Sequence, residues 1–157
     1  MVVPRSSGNI ANTTGNALER YVLNHLVSHG YKQVQNNAFV GLLGSQDKMF
    51  VKHFKVGVSI YNTPIFADFV IYHPQKWPQC LIIEVKWQQV AGSVDEKYPY
   101  LVLNINNKFP YKTIILLDGG GYKPGAEAWL RSQAGSGNLL NVFNMAQLQT
   151  WANKDRI

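Results

Sequence analysis

The amino-acid sequence predicts an α/β fold with a mixed central sheet, because segments with strand patterns and segments with helix patterns follow one another along the chain. The apolar run at residues 81–87 is typical of a strand buried on both faces. A second run of this kind covers residues 64–72, and residues 15–29 show the apolar spacing of a helix. The predicted order is helix, three or four strands, helix, strand, helix, strand, helix.

Composition limits the classes of protein to which the chain can belong. A chain of 157 residues with 46% hydrophobic and 15% charged residues predicts one globular domain. The formal net charge of +6 favours a polyanionic partner such as nucleic acid or an acidic membrane surface. A single cysteine, Cys80, excludes a disulfide framework and a cysteine zinc cluster, and its apolar neighbours indicate an inert buried thiol. With no apolar run of membrane-spanning length and no signal core, we expect a cytoplasmic protein.

The amino-terminal part divides into an arm and a helix. Residues 1–14 are polar and predict a flexible arm, which leaves residues 15–157 as the single domain. The first predicted helix covers residues 15–29, and Gly30 is expected to cap its carboxyl end. Glu19 shares a stripe with Val22, Leu23 and Leu26, so its carboxylate borders the buried face. Alternatively, Asn16-x-x-Glu19 forms a variant capping box, in which the acid only binds backbone N–H groups.

The next segment, residues 31–60, is predicted to be rich in strand. Residues 49–58 alternate between polar and apolar side chains, after a turn at residues 41–48. Lys48, Lys52 and Lys55, together with His53, make the segment basic. This pattern fits either an ordinary solvated face or a surface that contacts phosphates.

Two apolar strands with charged residues follow. Asp68 is the one acid in the run at residues 64–72, and a short loop at residues 73–78 leads to the run at residues 81–87. So short a loop favours an antiparallel hairpin, which would bring Asp68 near Glu84. Glu84 and Lys86 project from the same face because side chains alternate along a strand. Buried charges of this kind are tolerated when they are paired or hold a metal.

The carboxyl-terminal half alternates helices and strands. Ser93 and Glu96 form a predicted capping box, but Pro99 implies that the helix either bends or begins later than this box. The helix should end near Asn106, and residues 118–121 should form a turn. The remaining predicted elements are a strand at 111–117, a helix at 126–133 opened by Pro124, a strand at 138–143 and a helix at 145–153.

The spacing of the charged strand residues resembles a known family. Asp68, followed after fifteen residues by Glu84-x-Lys86, resembles the motif of the PD-(D/E)XK nuclease superfamily, which has the restriction-endonuclease-like fold. The family's proline before the aspartate is Ala67 here, a departure that removes no metal ligand. The similarity extends over residues 15–151 and includes Gln88 and the glycines of residues 118–121.

This resemblance implies a metal-dependent DNA endonuclease of the homing or restriction type. Mg²⁺, with Mn²⁺ expected to substitute, would be held by Asp68, Glu84 and the backbone carbonyl of Val85. Lys86 would orient the attacking water or stabilise the charge that develops. In the family a first-helix glutamate commonly reaches the metal, which is the second interpretation of Glu19. Gln88 would touch a phosphate or hold Lys86, unless it is an ordinary polar strand end.

The resemblance also implies partners. The expected substrate is double-stranded DNA, with Lys48, Lys52, Lys55 and Lys97 as possible contacts, although nothing in the sequence separates DNA from RNA. A homodimer or higher homo-oligomer is expected, because cutting two strands requires two active sites. The alternatives are a Holliday-junction resolvase or other structure-specific nuclease, and a nucleic-acid-binding module of nuclease fold without catalysis.

Overall fold

The computed structural model describes the backbone of residues 7–157 and the side chains of residues 16–157. The helices are α1 (Ser7–Ser28), α2 (Asn36–Leu42), α3 (Tyr98–Asn107), α4 (Pro124–Ser132) and α5 (Met145–Trp151). The strands are β1 (Lys32–Gln33), β2 (Met49–Val58), β3 (Pro64–His73), β4 (Trp77–Trp87), β5 (Lys112–Asp118) and β6 (Leu139–Phe143). No helix in this part of the chain is both long enough and apolar enough to cross a membrane.

The six strands form one mixed sheet in the order β1-β2-β3-β4-β5-β6. The two junctions around β3 are antiparallel, whereas β1 with β2, β4 with β5 and β5 with β6 are parallel. The α/β fold and the hairpin between the two apolar strands are therefore confirmed. Each of β3 and β4 has a neighbour on both edges, which explains why their sequences are almost continuously apolar.

Helices cover both faces of the sheet. One face packs against α1 and α5, and we call this side the α1 layer; Leu18, Val22, Leu26 and Leu148 are buried there. The other face packs against α2, α3 and α4, and we call this side the α3 layer; Phe39, Tyr98, Val102 and Leu130 are buried there. The result is a three-layer molecule with one apolar core on each side of the sheet.

The first helix is longer than its sequence pattern indicated. It begins at Ser7, so the flexible arm predicted for residues 7–14 is replaced by helix, and residues 1–6 lie outside the described residues. Its end at Gly30 is as predicted: Tyr31 N–H donates to the Leu26 carbonyl and Gly30 N–H to the Val27 carbonyl, each at 3.0 Å. Because the helix starts at Ser7, Glu19 lies in its middle, and the capping interpretation of Glu19 is wrong.

The start of one further helix differs from expectation, and one helix was not expected. The capping box predicted at Ser93 is not formed, and α3 begins at Tyr98 with Pro99 in its first turn, as in the alternative of a later start. The short helix α2 was not predicted at all; of its seven residues only Phe39 is buried, too few for a clear amphipathic pattern.

Cys80 lies in the core of the α3 layer. Burial raises the pKa of its thiol to about 11, so the neutral form dominates at physiological pH. These properties agree with the inert buried thiol that the sequence predicted.

The alternation of side chains reverses within β3. Phe69 and Ile71 pack in the α1 layer, whereas Ala67, two residues before Phe69, packs in the α3 layer. Residues two apart in a regular strand share a face, so the strand changes phase at Asp68.

The alternation of side chains also reverses in the neighbouring strand β2, opposite Asp68. Lys52 Nζ lies 5.5 Å from the centre of the Phe69 ring, on the α1 side, whereas Phe54 packs on the α3 side. His53 lies between them with a left-handed φ of 48°, and the register places it opposite Asp68. The irregular residues of the two strands, His53 and Asp68, are thus neighbours across the sheet. Each lies where the regular alternation of side chains is interrupted.

A glycine loop fixes the far end of β4. Gln88 N–H donates to the Asp118 carbonyl at 3.0 Å, and Gly121 N–H donates to the Gln88 carbonyl at 2.7 Å. A Cβ atom at Gly119 would lie 2.4 Å from the Gln88 carbonyl oxygen. Glycine is therefore required for this turn to close against the strand that carries Glu84 and Lys86.

Candidate active site

Asp68 and Glu84 meet at the point where β3 and β4 separate. Phe69 and Ile83 are the last residues paired by the regular ladder. Beyond them, Val85 N–H donates to Asp68 Oδ2 at 2.7 Å, and Asp68 N–H donates to Glu84 Oε1 at 3.2 Å. Each carboxylate therefore accepts a backbone N–H of the opposite strand in place of a ladder carbonyl, which fixes both acids relative to the sheet.

Lys86 connects the two carboxylates. Its Nζ donates to Glu84 Oε2 at 2.9 Å and lies 3.5 Å from Asp68 Oδ2. The side chain of Glu84 is only 4% exposed, whereas that of Lys86 is 29% exposed. The ammonium group thus neutralises a buried carboxylate and still reaches the surface of the site.

The pKa values reflect this arrangement. Burial raises the pKa of Glu84, and the ammonium of Lys86 partly offsets the shift. Burial alone would lower the pKa of Lys86, but the Glu84 and Asp68 carboxylates outweigh it and raise the pKa above its ordinary value. The two carboxylates therefore stabilise the charged form of Lys86.

The backbone carbonyl of Val85 faces the same gap. A strand residue directs its N–H and its C=O toward the same neighbouring strand. Since Val85 N–H reaches Asp68 on β3, the Val85 carbonyl also faces β3. The orientation agrees with the predicted role of this carbonyl as a metal ligand.

Glu19 approaches the site from the α1 layer. Its Oε2 lies 3.5 Å from Lys52 Nζ and 3.4 Å from His53 Nε2. Ligand atoms of Glu19, His53 and Asp68 all lie within 4.8 Å of one another. The first-helix glutamate is therefore adjacent to Asp68, as the family resemblance implied.

The sequence did not indicate His53 as a site residue beyond its basic character. Regular alternation would place Phe50, Lys52 and Phe54 on one face, and a lysine between two aromatic residues is a poor fit to such a face. That conflict is the signal that could have located the phase change at His53, opposite Asp68.

A cavity of about 520 Å³ opens beside Glu84 and Lys86 on the α3 side. Its walls come from the start of β3 and from α3, and they include Phe66, Tyr98 and Tyr100. The two charged residues thus line a cavity whose walls are largely apolar.

Gln88 is hydrogen-bonded at the end of β4. Its Oε1 accepts a hydrogen bond from the Tyr98 hydroxyl at 3.2 Å, and its Nε2 lies 3.4 Å from the Val90 carbonyl and 3.5 Å from the Gly121 carbonyl. The side chain is buried, so its position supports the end of β4 rather than a contact with substrate.

The four lysines considered as DNA contacts are spread over the molecule. Lys97 lines the cavity and is exposed, and Lys55 is exposed on β2. Lys52 is turned toward Glu19. Lys48 donates to the His29 carbonyl at the end of α1 and lies near the Tyr31 ring, just before the first residue of β2 and five residues from His53.

The donor set fits a divalent cation. Asp68, Glu84 and the Val85 carbonyl carry the hard oxygen ligands that Mg²⁺ prefers. Both carboxylates lie within 3.5 Å of Lys86 Nζ. Asp68 uses Oδ2 for its bonds to Val85 and Lys86, and in the described part of the chain no hydrogen bond reaches Oδ1. That oxygen is available to a ligand without breaking the contacts that hold the site together.

Comparison with known proteins agrees with this geometry. A family model described as a PD-(D/E)XK nuclease superfamily domain matches residues 10–156 of the 157-residue chain. The match includes all of β1 to β6 and every candidate site residue described above. Neither a curated protein nor a solved structure matches the chain significantly.

Proposed function

The chain belongs to the PD-(D/E)XK nuclease superfamily, and on this premise we propose that it is a Mg²⁺-dependent DNA endonuclease of the homing or restriction type. Asp68, Glu84 and the Val85 carbonyl hold the cation, Lys86 acts on the reacting groups, and Glu19 assists from α1. Mn²⁺ substitutes for Mg²⁺. Gln88 positions the end of β4.

The observation that supports this proposal most directly is the contact of Lys86 with both carboxylates. Two acids and one lysine lie where β3 and β4 separate. Lys86 Nζ is 2.9 Å from Glu84 Oε2 and 3.5 Å from Asp68 Oδ2. A purely structural ion pair would need only Glu84 and Lys86, and it would not account for a second carboxylate, that of Asp68, beside the same ammonium. Asp68 also keeps an oxygen for a ligand, as hydrolysis of a phosphodiester requires.

Each residue has a distinct part in the proposed reaction. A bound divalent cation lowers the pKa of a water molecule and neutralises charge on the phosphate. Asp68 and Glu84 provide the negative charge that attracts the cation, and their bonds to backbone N–H groups keep them in place. The ammonium of Lys86 orients the attacking water and stabilises the negative charge that develops on the phosphate.

Exposed lysines near the site supply affinity for the DNA backbone. Lys97 at the cavity and Lys55 on β2 are exposed and available to phosphates, and the net charge of +6 favours approach of a polyanion. We propose that the enzyme acts as a homodimer or higher homo-oligomer, because each strand of the duplex needs its own active site. Sedimentation with and without duplex DNA tests this point, and a strict monomer in both conditions would contradict it.

Incubation with supercoiled plasmid tests the function. We expect conversion to nicked and linear forms with Mg²⁺ and none in EDTA. Asp68→Asn should abolish cleavage, while binding to duplex DNA in EDTA stays near the wild-type level. The matched control is Asp47→Asn, which changes an exposed aspartate in the loop before β2 and should cut normally. Retained cleavage in Asp68→Asn would overturn the assignment, and faster cutting of a four-way junction than of plasmid would favour the resolvase alternative.

A further inference from the structure

The cavity beside Glu84 and Lys86 has an aromatic wall that the proposed chemistry does not use. Phe66 lines this cavity and is 56% exposed, although most of the residues that follow it in β3 are buried. We propose that the cavity receives a nucleobase that has left the DNA stack, and that the Phe66 ring stacks on that base. The inference rests on the proposed function, because it places the nucleotide beside the proposed catalytic groups.

A stacked pair of tyrosines extends the aromatic wall. Tyr100 on α3 lines the cavity. Tyr61, in the turn between β2 and β3, stacks on Tyr100 with the ring centres 5.0 Å apart and the planes 24° from parallel. Tyr61 is 71% exposed, and because Tyr100 covers one face of its ring, the exposed area includes the other face. Open aromatic faces stack on nucleobases without regard to their sequence.

Hydrogen bonds hold the turn that carries Tyr61. The Ile60 N–H donates to Asn104 Oδ1 at 2.9 Å, which ties the turn to α3. The Tyr61 N–H donates to Ser59 Oγ at 3.0 Å, and the Ser59 N–H donates to the Thr63 carbonyl at 2.7 Å. The wall is therefore formed before a ligand arrives, so little of the binding energy is lost in ordering the protein.

The charges at the cavity favour a nucleotide over an apolar side chain. Lys97 lines the cavity and is exposed, and Lys86 lines it with 29% of its side chain exposed. A nucleotide joins a flat ring with open faces to an anionic phosphate, so it suits both the aromatic wall and the ammonium groups. An apolar side chain from a second copy of the protein would cover Phe66 but offer no anion to Lys97.

The shape of the cavity requires that the base leave the duplex. Its volume of about 520 Å³ is within the range of about 300–1,000 Å³ that is typical of sites for small ligands. In an intact duplex the faces of each base are covered by its neighbours, so a base reaches a cavity only after it has left the stack. The free-energy cost of this step is least for a base that is already unpaired. We therefore expect the protein to prefer DNA with an unpaired base.

Fluorescence polarisation in EDTA tests the proposal with two labelled DNA duplexes, one fully paired and one with a single unpaired nucleotide at the centre of one strand. Without a divalent cation the DNA stays intact, so the measurement reports binding alone. The wild type should bind the bulged duplex at least about fivefold more tightly, because stacking of one base on an aromatic side chain contributes this factor or more. Equal affinities for the two duplexes would overturn the inference.

Two variants of Phe66 separate stacking from apolar contact. Phe66→Leu keeps an apolar side chain without a ring, so most of the preference for the bulged duplex should be lost. Phe66→Tyr keeps the ring and should keep the preference. The matched control is Trp129→Leu, which removes a ring that is 39% exposed on α4 and does not line the cavity. A preference that survives in Phe66→Leu would contradict the role of the ring.

The result is independent of cleavage. Loss of the bulge preference in Phe66→Leu but not in Phe66→Tyr would support the base site even if the chain cut no plasmid. A chain that cuts plasmid but binds both duplexes equally would keep the proposed function and exclude the base site. If Phe66→Leu changes the sedimentation of the free protein and leaves DNA binding unaltered, the cavity is an interface between two copies, and the inference is wrong.

Discussion

Glu84 and Glu19 reach one site from opposite layers of the sheet, and the fold holds the two carboxylates in different ways. Glu84 lies on the central strand β4, is almost fully buried, and accepts hydrogen bonds from the Asp68 N–H and from Lys86. Glu19 lies on α1, is partly exposed, and faces Lys52 and His53 at 3.4 to 3.5 Å. One acid is fixed by the sheet, and the other is placed by the packing of a helix.

The two carboxylates differ in how freely their side chains can move. Burying Glu84 costs stability, but its hydrogen bonds leave it one geometry. Glu19 costs little to keep on a partly exposed helix face, and its side chain can change rotamer when a ligand arrives. We therefore expect Glu84 to be indispensable and Glu19 to tune the affinity for the cation.

The largest expected effect compares the two glutamates directly. Glu84→Gln should show no cleavage at any Mg²⁺ concentration, because the proposed central metal ligand is lost. Glu19→Gln should cut more slowly and need more Mg²⁺ for half-maximal cleavage. Cleavage of a labelled duplex across a Mg²⁺ titration measures both variants, and identical titration curves would remove the distinction between the two acids.

Replacing Lys86 should reduce the rate and spare binding. Lys86→Met removes the cation that we propose stabilises developing charge, so the single-turnover rate should fall by about 10²–10³-fold. DNA affinity in EDTA should change little. Lys108→Met, at an exposed position after α3, is the control. A rate within tenfold of wild type would show that Lys86 only neutralises Glu84.

Stability measurements should separate the buried pair of Glu84 and Lys86 from the partly exposed Glu19. Replacing Glu84 and Lys86 together by Leu and Met should leave the free energy of unfolding unchanged or raise it by up to about 4 kcal/mol, as is often found when apolar residues replace a buried ion pair. Glu19→Gln should alter it by less than about 0.5 kcal/mol. Urea denaturation gives both values, and a larger loss in Glu19→Gln would show that α1 depends on this carboxylate.

The pH dependence of Lys86→Met follows from the pKa of Glu84. Burial raises that pKa, so the folded state binds the proton more tightly than the unfolded state. Stability is then highest below the unfolded pKa of about 4.3 and falls as pH rises through the folded pKa. Without Lys86 this loss grows, so the variant should be less stable than wild type at pH 8 and recover part of the difference at pH 5. Equal differences at the two pH values would contradict the interpretation.

The smallest expected effect concerns the lysines. Removing one phosphate contact lowers the log–log slope of DNA affinity against salt by about 0.9. We expect this change in Lys97→Gln and in Lys55→Gln. Lys48→Gln should leave the slope unchanged, because Lys48 donates to the His29 carbonyl. If all three variants keep the wild-type slope, the DNA binds to another surface.

The sequence was sufficient to predict the strand motif. Charged residues stand out in strands that are apolar throughout, and a short loop nearly requires an antiparallel hairpin, so Asp68 and Glu84 could be brought together from local pattern alone. The family resemblance then assigned chemistry to Lys86 and Glu19. Both steps depend on features that are close in sequence or fixed by spacing.

The remaining features depend on tertiary structure. The interruption of side-chain alternation at His53 and Asp68 arises where two irregular strands lie side by side. The alternating pattern of either strand alone does not reveal it. The start of α1 at Ser7 was missed because residues 7–14 are largely polar. Lys48 looked like part of a basic face, but it lies just before the first residue of β2 and donates to the His29 carbonyl.

The hydrogen bond between Val85 N–H and Asp68 gives the molecule an internal spectroscopic reporter. Most amide protons of a central strand are bonded to neutral carbonyls, whereas this one points at a carboxylate oxygen 2.7 Å away. Any change in the charge felt by Asp68 alters the electron density around that single proton. The Val85 amide resonance therefore follows events at the site from within the sheet, without a label and without substrate turnover.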